Sequence, residues 1–309
     1  MRSGKRSGGH VQRRPAARLV GASLILLVVL LAGCKAGQQS SYVYDWSIFW
    51  DSLLRPSPRI LNGLWLTVSI AVTSQIIGVI LGIFGALGRL AKFRPARFLA
   101  NFYVWIFRGT PLLVQIMFLY YGLLVTRIYA WPDIVVLGIT LPSAIQAAIF
   151  ALGVNEGAYM TEIVRAGILS VDSGQMEAAK SLGMPYGLAM RRIVLPQAAR
   201  VVVPPLGNEF NNMLKTTSLL IVVAVPELFV TFSQLNGSGS TSFHPFELFL
   251  ACACWFLLLT TIWSVIQGFI ERRVGRGYGG ERPPGLFDRL FGARVGRLYS
   301  PEPRVSGGR

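Results

Sequence analysis

Residues 177–196 read EAAKSLGMPYGLAMRRIVLP, a stretch punctuated by glycine and proline and set between two long apolar segments. Its chemistry predicts two short helices joined by a turn. Asp172, with Gln175 three residues on, has the pattern of a capping box that opens the first helix. Good helix formers fill Gln175 to Leu182, and Gly183 can take the left-handed conformation that ends a helix. Pro185 suits the first turn of the next helix, where its missing N–H costs nothing. That helix is expected to run to about Leu195, with Pro196 as its stop. Small Ala178 and Ala179 would let a second protein approach the backbone, and Glu177 offers a charge to a basic partner. Met184, Tyr186, Leu188 and Ile193 supply apolar anchors of the kind a helix presents to a groove. The plain alternative is a helical hairpin that binds nothing.

The rest of the chain says what this stretch is attached to. Of 309 residues, 52% are hydrophobic and only 14% charged. Soluble domains usually carry about 25% charged residues. The deficit implies that lipid replaces water as the solvent for most side chains. Net charge is +16, from 30 Lys and Arg against 14 Asp and Glu. The basic residues gather at the two ends and in short gaps between apolar runs. That distribution fits the positive-inside rule and argues against nucleic-acid binding.

Apolar patterning predicts an all-α integral membrane protein with five core transmembrane helices and one further N-terminal hydrophobic segment. Residues 1–40 hold a basic start and the run LVGASLILLVVLLAG, which ends at Cys34. Leu31-Ala32-Gly33-Cys34 resembles a bacterial lipobox, so Cys34 is a candidate lipidation site; an uncleaved first transmembrane helix is the alternative. Residues 41–61 read as an external segment in which Pro56 and Pro58 break any long helix. The transmembrane domain occupies 62–270, with crossings expected at 62–88, 110–126, 134–154, 205–232 and 246–270. An interfacial helix is expected over 95–107, because Arg108-Gly109-Thr110-Pro111 should break the helix between it and the next crossing. A cytoplasmic loop is expected at about 155–199 and an Arg-rich cytoplasmic tail over 271–309.

In residues 177–196, the order is Glu-Ala-Ala, three residues, Gly, nine residues, Ile, one residue, Leu-Pro. This resembles the EAA loop of the integral membrane subunits of bacterial ATP-binding-cassette (ABC) importers. Glu177, Ala178, Ala179, Gly183, Ile193, Leu195 and Pro196 fill every position of that pattern. Three further stretches are similar to signatures of the polar amino acid permeases: Phe107 to Gln115, Asn155 to Ile168, and Leu206 to Leu228. The resemblance covers about residues 45–272 and points to a binding-protein-dependent inner-membrane component of the cytoplasmic membrane. It implies docking of cytoplasmic ABC ATPase subunits on the loop, an external solute-binding protein, and a second permease copy or a similar permease. The cargo it implies is a polar amino acid such as histidine, arginine, lysine, glutamate or glutamine. The N-terminal hydrophobic segment and the long tail depart from the family pattern.

No G-x-x-x-x-G-K-[ST] phosphate loop occurs, so ATP and Mg are expected in the partner ATPase, with no cofactor bound by this chain. No catalytic set is expected: the two histidines, His10 and His244, read as solvated. No metal site is expected either, since Cys252 and Cys254 lie two apart in an apolar run and point in different directions on a helix. Polar groups within a crossing are candidates for the solute path. Asn208, Asn212 and Lys215 recur at helical spacing, and Gln115 on the broken helix is a fourth candidate. The alternative is that Lys215 snorkels or pairs with Glu209 while the asparagines bond neighbouring helices. Glu162 and Arg165, at i and i+3, read as a structural ion pair near the cytoplasmic face. A secondary transporter or channel working alone, or a lipid-anchored membrane scaffold, are the rival readings.

Overall fold

The computed structural model describes residues 42–136, 139–237, 241 and 243–274. The chain divides into two units, Met1–Tyr44 and Asp45–Arg309, and the described helices and strands all lie in the second. Cys34, the N-terminal hydrophobic segment and the tail beyond residue 274 lie outside the described residues.

Helix α1 (Trp46–Leu54) starts at Asp45, whose carboxylate accepts a hydrogen bond from the Ser47 amide at 2.9 Å. Helix α2 (Pro58–Leu90) comes next, with Pro58 in the first helical position. Beyond it lie α3 (Arg94–Gly109) and α4 (Leu112–Val125), the latter widened into a π turn over Phe118–Gly122. An antiparallel hairpin of β1 (Ile134–Val136) and β2 (Ile139–Leu141) pairs Val135 with Thr140. The remaining helices are α5 (Ser143–Leu169), α6 (Ser173–Ser181), α7 (Tyr186–Ala189), α8 (Leu195–Thr216), α9 (Leu228–Asn236) and α10 (Pro245–Val274). Among the described residues, α2 and α10 are each long and apolar enough to cross a membrane. Two bent pairs meet the same standard together: α3 with α4, bent by 105°, and Tyr186–Val223 with α9, bent by 49°.

Four sequence expectations need correction. The crossing expected over 134–154 is a short hairpin followed by α5, so the fold is not purely helical. The β-branched run Ile134, Val135, Val136 favours strand, and Pro142 holds its predecessor extended. The loop expected from about 155 is helical as far as Leu169, because Asn155 and Glu156 are buried within α5 instead of ending it. Pro196 does not stop its helix: a π turn over Met190–Val194 leads straight into α8, and the widened turn accommodates the proline ring. The expected crossing over 205–232 is broken after a 3₁₀ turn (Thr217–Val223), where Ala224 takes a left-handed φ of 53°.

The core forms where α2 lies along α5. In lipid there is little hydrophobic drive between helices, and close van der Waals contact between small residues takes its place. Gly78, Gly82 and Gly85 of α2 meet Glu156, Met160 and Thr161 of α5, while Gly153 and Gly157 of α5 meet Ile77 and Leu81 of α2. A Cβ built on Gly78 would sit 2.6 Å from Glu156 Cγ. A second cluster joins α1, α9 and α10 through Phe49, Phe232 and Leu248. There the Trp255 indole donates to the Ser52 carbonyl at 3.1 Å.

Candidate functional site

The loop between α5 and α8 is a compact helix–turn–helix. Asp172 caps α6 by accepting from the Gly174 amide at 2.6 Å. The reciprocal half of a capping box is absent, since Gln175 Oε1 instead accepts from Gln197 Nε2 at 3.4 Å. Gly183 has φ +76°; its amide donates to the Lys180 carbonyl (2.9 Å) and that of Met184 to the Ala179 carbonyl (3.0 Å). This is the paired bonding of a Schellman cap. Ala179 is buried, and Glu177, Ala178 and Gly183 are exposed. Ile193 is half-buried in the π turn, while Leu195 and Pro196 face outward. Leu182 and Tyr186 stand 82% and 62% exposed at the tip, and a Cβ built on Gly183 or Gly187 would meet nothing within 4 Å. The tip is thus apolar, small-featured and uncovered.

A second constellation forms at the elbow between α3 and α4. Thr110 Oγ1 donates to the Ile106 carbonyl at 2.8 Å, and Pro111 caps α4. Gln115 is buried, and its amide donates to the carbonyls of Phe107 (3.0 Å) and Thr110 (3.1 Å). Asn155 of α5 donates to the same Phe107 carbonyl and to Gln115 Oε1, each at 3.0 Å. Backbone carbonyls freed by the break therefore find side-chain donors, as buried backbone polar groups require. Beside the elbow, Glu162 gathers three arginines: Arg89, Arg165 at 3.0 Å and Arg108 at 3.5 Å.

The solute-path candidates fall into two environments. Asn208, Asn212 and Lys215 are exposed along one face of α8. Asn208 Oδ1 accepts from Gln267 of α10 at 3.0 Å, and Lys215 lines an open pocket of about 320 Å³ with Phe229, Phe249 and Phe256. No ion pair joins Lys215 to Glu209 among the described residues. Gln115, by contrast, spends its amide on the elbow. Sequence reasoning missed the Asn155–Gln115 link, the glycine seam and two of the three arginines on Glu162. Only the seam left a signal, the glycines at 78, 82 and 85 on one side of a helix.

With this geometry in view, comparison with known proteins identifies the class. Residues 78–276 match the binding-protein-dependent transport system inner membrane components, and the chain belongs to that family. It is a multi-span inner-membrane transport component and not an enzyme. It is 38% identical over 264 residues to the arginine transport system permease protein ArgU of Corynebacterium glutamicum, covering 84% of this chain and 81% of that protein. It is 36% identical over 232 residues to the L-cystine transport system permease protein TcyB of Bacillus subtilis, covering 74% and 93%. Among solved structures, an amino acid ABC transporter crystallised with histidines aligns with a TM-score of 0.64 at 34% identity, over 75% of this chain and all of that one.

Proposed function

We propose that this chain is the permease of an ATP-driven, binding-protein-dependent ABC importer whose cargo is a polar amino acid. The observation that carries the reading is the complete loop pattern on an uncovered helix–turn–helix in a member of this family. Relatives that carry arginine and cystine support an amino acid as the cargo class. In this reading there are five core crossings, α5 being the one too polar to qualify by composition alone. Two cytoplasmic ATPases bind and hydrolyse Mg-ATP, an external binding protein delivers the solute, and a second permease copy or a similar permease completes the pore.

Glu177, Ala178, Ala179, Gly183, Ile193, Leu195 and Pro196 frame the ATPase dock. Continuity between α7 and α8 supports a mechanical role: a push at Tyr186 passes through the π turn into a helix that carries Asn208, Asn212 and Lys215. ATPase closure would thereby turn the polar face and alternate its access. Lys215 would meet the solute carboxylate and the asparagines would bond it, while Gln115 enters only through the elbow that it holds.

The test is reconstitution of the chain with its ATPase and binding protein in liposomes. Uptake of labelled arginine, cystine or glutamine that requires ATP and falls in Lys215→Met supports the reading. Solute flux that needs neither ATP nor the ATPase would point instead to a transporter working alone. Docking is read separately by co-purification, where Glu177→Lys should lower recovery of the ATPase.

A further inference from the structure

We propose that the elbow between α3 and α4 binds the headgroup of an anionic phospholipid of the cytoplasmic leaflet, with Arg108 meeting the phosphate. The first observation is a local excess of charge. Glu162 Oε1 is taken by Arg89 and Oε2 by Arg165, so both oxygens are claimed before Arg108 approaches at 3.5 Å. One carboxylate then serves three guanidinium groups, and among the described residues these arginines pair with no other acid. Arg108 is 42% exposed and its guanidinium lies over the Tyr159 ring, 5.1 Å from the centroid. The ring contact holds the guanidinium beside Tyr159, and with Nη1 near Glu162 its remaining donors are available to an oxyanion.

The second observation is the outer face of α3. Phe98, Phe102 and Trp105 recur at helical spacing and are 67%, 48% and 70% exposed. Their rings stack in sequence, with centroids 6.1 and 5.9 Å apart. The opposite face is already used: Ala100 and Val104 are buried, and the Tyr103 hydroxyl donates to the Val154 carbonyl at 2.6 Å. Lys92 and Arg94 are exposed at the start of the helix. A helix with one face in protein, a ring-bearing face uncovered and cations at both ends suits the headgroup boundary. Charge complementarity selects an anionic lipid, and the rings select a lipid over a soluble anion. A Cβ built on Gly109 would meet nothing within 4 Å, so the bend is open to a headgroup.

The test uses the full chain in nanodiscs and reads quenching of Trp105 by brominated lipids. Trp105→Phe, subtracted from the wild type, isolates this signal from the other tryptophans. Brominated phosphatidylglycerol should quench with about a fivefold preference over brominated phosphatidylcholine. In Arg108→Gln the preference should fall to about one. On the wild type alone, raising ionic strength from about 0.05 to about 0.5 M should shrink it, which keeps the test open if that variant fails to fold. Equal quenching by both lipids, or a preference untouched by Arg108→Gln and by salt, overturns the proposal. Loss of the preference on adding inorganic phosphate at constant ionic strength, with chloride as the matched control, would assign the site to a free anion and overturn the lipid. Absence of quenching by either lipid would mean that protein covers α3, and overturns it too.

Discussion

Between α2 and α5 a Cβ built on Gly82 would lie within 3.1 Å of the Met160 backbone, whereas at Gly187 in the loop between α5 and α8 it would meet nothing within 4 Å. The same residue type therefore serves opposite ends. In the membrane the missing side chain lets two helices of this chain touch. In the loop it keeps a surface flat and open, as a dock for another chain requires. The contrast separates what holds the permease together from what would couple it to its motor.

The largest effect is expected where backbone blocks the new atoms. Gly82→Val places carbon against Met160 main chain, which cannot rotate away, so α2 and α5 must separate. A loss of about 3 kcal/mol or more is expected, at the upper end of overpacking costs. Size-exclusion profiles in detergent and thermal unfolding read it. A monodisperse variant of wild-type stability would show that the seam is looser than its geometry.

The elbow comes next. Asn155→Leu removes the donor to the Phe107 carbonyl and to Gln115 Oε1, leaving Oε1 buried without its partner. The expected cost is about 1–3 kcal/mol. Thermal unfolding of the purified chain measures it, and the loop should still recover the ATPase.

How much could be read ahead from sequence depends on the range of each interaction. Local chemistry announced the break at Arg108 to Pro111 and the cap at Gly183, because Gly, Thr and Pro act on their own neighbours. Asp172 was legible as a cap for the same reason. The length of α5 was hidden: Asn155 and Glu156 look like the end of a crossing until a glycine seam nearly eighty positions earlier is laid against them. Glu162 and Arg165 were visible as a pair at i and i+3, but Arg89, 73 positions away, joins only in three dimensions. Pro196 misled because the π turn before it is set by the helix as a whole. Of the loop, the turn and caps were legible and the burial of Ala179 beneath its exposed neighbours was not.

Gly183→Ala should cost about 1–2 kcal/mol, since φ +76° penalises any Cβ even in open space. Unfolding of the isolated permease reads this without the partner. A shift near zero would mean that the turn relaxes to a right-handed end.

Gly187→Gln is the smallest perturbation and divides the two uses of glycine most cleanly. Gly187 lies in α7, has no positive φ and has open space around it, so a good helix former should change stability by no more than about 0.5 kcal/mol. The same side chain would project into the open space at the exposed tip, next in sequence to Tyr186, where the dock is proposed. Unfolding should match the wild type, while co-purification with the ATPase and ATP-dependent uptake should both fall. If recovery of the ATPase is unchanged, the dock lies elsewhere on the loop and the openness at Gly187 is only the solvated turn of a helix. If stability falls along with recovery, the residue belongs with the glycines of the seam.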